Sequence, residues 1–248
     1  MDNLIYIVSI DHNQSKTKCS SYADYCINTW KYWCSKNNVD LIVEKVGDPK
    51  FGKAMWNKTN IVEIGKKYKK IGIVDTDTMI RWDAPNIFEM YENEFCGVVD
   101  TSDYRWILNS ILVYNKFFPN VKLNIDNYIN SGVMFFTSDH LFLFDKLQKF
   151  YFENKNELDN WDKGGGKDQT LINYHLTENS VKQKILDPCW NLISIHRKDM
   201  FKHNWQLNND PTPYFIKYAY IWHFTGFPVE HRESIMKDTW NIIKERYK

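Results

Sequence analysis

The chain has 248 residues, 43% of them hydrophobic and 25% charged, and its formal net charge is +1. That length suits one large domain, or a domain with a small subdomain, and the apolar share is enough for a sizeable core, which excludes a disordered chain. The near-neutral balance excludes a nucleic-acid binder that works through bulk positive charge.

Leu4 to Ile10 is an apolar, β-branched run that predicts a buried parallel strand, ending in the polar loop Asp11-His12-Asn13. Ser21 to Lys36 reads as a helix with Tyr25, Thr29, Tyr32 and Trp33 on roughly one face. A second strand is expected over Asp40 to Val46, then the turn Gly47-Asp48-Pro49. Met55 to Tyr68 predicts a second helix, with Lys66, Lys67, Lys69 and Lys70 at the end where cations suit the helix dipole. Ile71 to Val74 is the third strand and runs straight into Asp75.

Asn86 to Tyr91 predicts a short helix, and Phe95 to Val99 a strand ending on Asp100. Asp103 to Phe118 reads as a helix, Ile129 to Thr137 as a strand containing Asn130-Ser131-Gly132, and Asp139 to Lys155 as the longest helix. A glycine joint at Gly164-Gly165-Gly166 precedes a helix over Lys167 to Thr177; strands follow at Val181 to Ile185 and Tyr220 to Phe224. Residues beyond about Thr177 read as more irregular and rich in Trp, Asn and Pro. Strands alternating with helices imply an α/β layer structure with a largely parallel sheet. In such sheets ligands bind beyond the carboxyl ends of the strands, where Asp11, Asp75, Asp77 and Asp100 are expected.

The five cysteines are odd in number and form no CxxC pair, which argues against a disulfide framework. The N-terminus has no basic leader, and no apolar run approaches the roughly 20 residues of a membrane span. A cytoplasmic location is the expectation.

Asp75 and Asp77, two residues apart as the chain leaves a strand, project to the same side and can meet one hard cation. A cation there can bridge a diphosphate and neutralise the charge that grows as it leaves. Asp75-Thr76-Asp77 alone is also what a solvated turn looks like. The run Ile71 to Thr78 moreover fits haloacid-dehalogenase-type phosphatases, in which Asp75 would be a nucleophile. That motif stands late in the chain for such an enzyme, and no acidic pair downstream completes its magnesium site.

Other segments resemble, in order, those of glycogenin and its relatives among the family 8 glycosyltransferases. Val74 to Ile80 followed by Asp83-Ala84-Pro85-Asn86 looks like the family's metal motif, and Trp56-Asn57-Lys58 like the segment that sets a basic residue near the donor. Asn130-Ser131-Gly132-Val133, Asp168-Gln169 with Asn173, Leu186 to Asn191, and His223-Phe224-Thr225-Gly226 are similar to further family motifs. The resemblance implies one GT-A type nucleotide-binding domain over 1–248, with a mostly parallel central sheet flanked by helices. Residues of about 1–177 would form the nucleotide-sugar core and about 178–248 an acceptor-side lobe.

It implies transfer of a sugar, glucose or a relative, from a UDP-sugar to a hydroxyl on a glycan, a protein or a small molecule, with retention. The chain's own tyrosines count among the acceptors, and a homodimer is compatible with it. Manganese, with magnesium second, would sit on Asp75, Asp77 and His223. Asp168, Gln169 and Asn130 would be catalytic. Ser9, Asp11, Tyr22, Lys58, Thr76, Asp100, Ser131, Gly132 and Gly226 would complete the donor site, Thr76 through its backbone near the ribose and Tyr22 by stacking on the base. On residue type alone, Asp100 and Asp168 also suit helix N-caps, and His223 a core histidine. One departure stands out: Val229 occupies the place of the family lysine that meets the donor phosphates. Arg232 can supply that charge, as a fork instead of a point. Alternatives are the phosphatase and a non-catalytic UDP-sugar-binding module.

Overall fold

The computed structural model describes residues 2–11, 19–160, 167–196, 200 and 212–248. Its centre is a six-stranded sheet built from β1 (Asn3–Val8), β2 (Asp40–Glu44), β3 (Lys70–Val74), β5 (Phe95–Val99), β6 (Ile129–Thr137) and β7 (Gln183–Ile185), in the order β2-β1-β3-β6-β5-β7. Five of these strands run parallel; β6 is antiparallel to both of its neighbours. β4 (Thr78–Ile80) and β8 (Ile221–His223) form a separate antiparallel pair. The mostly parallel α/β arrangement expected from the sequence is therefore present.

Alternation along the strands divides the core between the two faces of the sheet. Ile5 and Ile7 of β1 with Val133 and Phe135 of β6 join one cluster, packed with Trp30 and Trp33 of α1 (Ala23–Asn37). Leu4 and Tyr6 with Met134 and Phe136 join the other, packed with Leu143, Phe144 and Leu147 of α4 (Leu141–Glu153) and Leu171 and Tyr174 of α6 (Lys167–Glu178). Burial of the central strands on both faces explains why they read as continuous apolar runs.

The remaining helices are α2 (Ile61–Gly65), α3 (Tyr104–Tyr114), α5 (Lys155–Asn160), α7 (Tyr214–Tyr218) and α8 (Val229–Ile243). The helix expected over 55–68 is instead a 3-10 stretch, Ala54–Asn60, followed by the short α2. Asn57 and Thr59 turn their side chains onto the Ala54 and Trp56 carbonyls, so local bonds compete with the α-helical ladder. Gly65 closes α2 where a Cβ would stand 2.7 Å from Ile71 and 2.8 Å from Leu141. α4 is not the longest helix: it has 13 residues, against 15 each in α1 and α8. α8 lies in the stretch expected to be irregular. Its buried stripe is narrow, Met236, Thr239 and Ile243, which left little periodic signal.

All five cysteines are free thiols. Among the described residues no helix is long and apolar enough to cross a membrane. The joint at 164–166 lies outside the described residues.

Trp30 is fully buried and its indole Nε1 donates to Thr78 Oγ1 at 3.1 Å, tying α1 to β4. Trp30→Ala is expected to cost about 3–5 kcal/mol of stability in chemical denaturation; a loss below about 1 kcal/mol would contradict this packing.

Candidate metal centre

β1, β3 and β5 end, and antiparallel β6 begins, on one edge of the sheet: Val74 pairs with Val133, and Val99 with Ile129. The residues leaving that edge line a cleft of about 510 Å³ that contains Lys58, Asp75, Asp77, Asn130, Asp168 and His223. Reversal of β6 is what puts Asn130, Ser131 and Gly132 beside Asp75 instead of at the opposite edge.

Asp75 begins a tight turn. Its own N–H donates to the Gly132 carbonyl at 2.8 Å, and the Thr78 hydroxyl donates to the Asp75 carbonyl at 2.7 Å. β4 follows at once, and in its pairing with β8 Thr78 lies opposite His223. Phe224 N–H donates to the Asp77 carbonyl at 2.8 Å, fastening the two segments. Asp75, Asp77 and His223 thereby offer ligand atoms that all lie within 4.8 Å of one another and can hold a metal ion. Gly132 makes room for them: a Cβ there would stand 2.2 Å from His223 Cε1 and 3.0 Å from Asp75 Oδ2.

A chain of amides sets the histidine. Asp100 Oδ2 accepts from Gln169 Nε2 at 2.9 Å and from Asn130 Nδ2 at 3.1 Å. Gln169 Oε1 accepts from Asn130 Nδ2 and from Ser131 N–H, each at 3.1 Å. Asn130 Oδ1 accepts from Gly132 N–H at 3.0 Å and from Asn191 Nδ2 at 3.1 Å. That leaves Asn191 Oδ1 facing His223 Nδ1 at 3.0 Å. A proton on Nδ1 satisfies this contact, and Nε2 then points its lone pair at the acidic pair, as a metal-ligating histidine requires.

Charges in the cleft are matched pairwise. Lys58, only 4% exposed, sits between Asp75 Oδ1 at 2.8 Å and Asp168 Oδ2 at 2.9 Å, and also donates to the Ser131 carbonyl at 3.2 Å. Burial opposes its charge, but Asp168 and Asp75 outweigh that and hold its pKa above the ordinary lysine value. Burial raises the pKa of Asp75, with Lys58 pulling the other way. Asp77 meets the same burial penalty, yet His223 Nε2 at 3.2 Å and Arg232 at 3.2 Å hold its carboxyl well below the usual range.

The remaining expected residues fall in different places. Thr76, Ser131, Gly132 and Gln169 line the cleft. Asp100 is not an N-cap: that role belongs to Asp103, whose side chain accepts from Trp106 N–H. Asp100 instead supports Asn130 and Gln169 from behind. Asp168 lies within the first turn of α6. Ser9 and Asp11 line a separate hollow of about 380 Å³ with Lys45, and exposed Asp11 accepts from Ser20 N–H at 3.0 Å. Tyr22 is 7% exposed, with its hydroxyl 3.4 Å from Arg232. Gly226 is exposed and adopts φ of 78°, a conformation that favours glycine. The Val229 side chain lies outside the described residues. Sequence reasoning missed the Arg232–Asp77 contact and the cleft residues Trp106, Lys167 and Thr225. Asn191, the last residue of the Leu186 to Asn191 motif, has no signal in the sequence for its place between Asn130 and His223.

No family model and no curated protein matches the chain. Among solved structures it is similar to a glycosyltransferase involved in the glycosylation of the major capsid of PBCV-1, with a TM-score of 0.61 and 12% identity over 95% of this chain and 98% of that one. It is also similar to the bifunctional glycosyltransferase WbbM in its apo structure, with a TM-score of 0.56 and 16% identity over 98% of this chain. The match spans 51% of WbbM's own length. At these identities the likeness is one of fold.

Gly132→Ala is expected to push His223 away from Asp75 and Asp77 and to weaken manganese binding at least about tenfold. The check is a titration followed by the electron paramagnetic resonance signal of free Mn2+, with circular dichroism confirming the fold. Unchanged affinity would show that Gly132 is not needed for the three ligands to meet.

Proposed function

We propose that this chain is a metal-dependent, retaining glycosyltransferase that moves a sugar, glucose or a relative, from a UDP-sugar to a hydroxyl acceptor, its own tyrosines included. The observation that carries the reading is the Lys58 bridge, which holds Asp168 and the metal-site residue Asp75 on one ammonium, at 2.9 and 2.8 Å. A donor whose diphosphate meets the acidic pair then has its sugar beside Asp168 and Gln169. Both solved structures named above are glycosyltransferases, which supports the same reading.

Asp75, Asp77 and His223 form an oxygen, oxygen, nitrogen set that suits manganese, with magnesium second, over calcium. Bound there, the metal supplies positive charge to the departing diphosphate. Asp168 faces the developing oxocarbenium charge of the sugar, which an anionic oxygen stabilises. Lys58 keeps that carboxylate aimed. Asn130 and Gln169, fixed by Asp100, form the wall of the cleft beside Asp168. Thr76 sits between the two metal carboxylates, where its backbone can meet the ribose. Retention rests on the resemblance to family 8 enzymes, with which a homodimer is compatible; an acceptor side formed by residues beyond about 178 rests on their composition, and a cytoplasmic location on the unpaired cysteines.

A phosphatase acting through Asp75 draws no support, because the sheet contains a reversed strand in a glycosyltransferase-like fold. A panel of UDP-sugars with manganese, read as UDP and free sugar released, tests the proposal. At least one donor is expected to turn over, with activity lost on chelation. Asp77→Asn and Asp168→Asn are expected to lower kcat by about 10² or more. UDP binding with no release from any donor would leave a binding module, and release of phosphate from a generic phosphomonoester would sink the assignment.

A further inference from the structure

Arg232, on the first turns of α8, has its guanidinium committed to protein groups. Nε donates to the Phe224 carbonyl at 3.0 Å and one terminal nitrogen to the Phe227 carbonyl at 3.5 Å. The other terminal nitrogen lies 3.4 Å from the Tyr22 hydroxyl and 3.2 Å from Asp77 Oδ2. The side chain is 18% exposed, and Arg232 is not among the described residues lining the cleft. A guanidinium held on this many sides is not free to replace the missing phosphate lysine.

What it does instead follows from how Asp77 is divided. Oδ1 faces His223 Nε2 at 3.2 Å, toward the metal centre, while Oδ2 is taken by Arg232. Resting on the metal reading above, we infer that Arg232 confines Asp77 to a single metal-facing oxygen and so acts as a positioning residue that selects the ion. Manganese and magnesium accept one oxygen per carboxylate in an octahedral shell. Calcium takes six to eight oxygens and gains from carboxylates that bind through both. Holding Oδ2 away therefore handicaps calcium specifically. The two backbone carbonyls gripped by Arg232 belong to the segment just after His223, so the arginine fixes the histidine and the aspartate relative to each other. Its positive charge weakens all divalent ions alike and contributes nothing to the discrimination.

The test compares Mn2+ and Ca2+ affinities of the full chain without donor, Mn2+ by the resonance signal of the free ion and Ca2+ by competition. Arg232→Met keeps the apolar stem and frees Oδ2. It is expected to lower the preference for Mn2+ over Ca2+ by about tenfold, chiefly through tighter Ca2+. Arg232→Lys keeps a cation at Asp77 and is expected to retain part of that preference. If Arg232→Met does not fold, Arg232→Gln is read in the same way. An unchanged ratio overturns the inference, and so does a parallel change in both affinities, which is what lost charge or partial unfolding gives. Wild-type protein that binds neither ion overturns the metal reading itself and the inference with it; wild-type protein that binds Mn2+ while the ratio stays fixed overturns the inference alone.

Discussion

The site is organised around one buried ammonium. An unpaired Lys58 at its depth would cost several kcal/mol, by order of magnitude, so the surrounding backbone must deliver anions to it. It receives two, Asp75 from the end of β3 and Asp168 from the start of α6, and the Ser131 carbonyl of β6 adds a further acceptor. Each partner comes from a different element. The pairing therefore fixes the register of those elements against one another as well as neutralising charge. Without the lysine, Asp75, Asp77 and Asp168 would repel one another across the same small cleft.

A second constraint is directional. The relay from Asp100 through Gln169, Asn130 and Asn191 to His223 has its amide orientations dictated at several points by groups that can act in only one sense: the Asp100 carboxylate accepts, and the Ser131 and Gly132 N–H groups donate. The histidine inherits its orientation from that sequence of obligations. Such a network is stable because its members are mutually satisfied, and a break at one amide strands buried partners on both sides. This explains why polar residues are tolerated at the buried start of an otherwise apolar strand such as β6.

Much of this was legible in the residues. β-branched runs marked the central strands because both faces of those strands are buried, and aspartates at strand ends marked the functional edge. His223 became visible as a candidate ligand through pattern similarity; no local signal distinguishes it from a core histidine. β4 was too short to show periodicity, and the narrow stripe of α8 hid a helix that supplies Arg232. The contact between Arg232 and Asp77 joins residues distant in the chain, and composition and spacing say nothing about such pairs. The same holds for Asp100: its place at a strand end was readable, but its role as a support behind the amides depends on side-chain geometry.

The β4–β8 pair has a consequence for how the protein matures. The pairings of β1, β2, β3, β5, β6 and β7 close before β8 exists, whereas β4 waits for β8. His223 and Arg232 are synthesised long after the turn that follows β3, and bringing them back against it requires closing a very long loop. Three aspartates and one lysine therefore sit together, unbalanced, until the segment from β8 to α8 docks. The centre becomes competent to hold a metal at that moment, and an ion bound there would favour the docked segment over the undocked one by mass action. The segment from β8 to α8 thus acts as a latch whose closure coincides with completion of the site, so that the sheet can be present before the three candidate ligands meet.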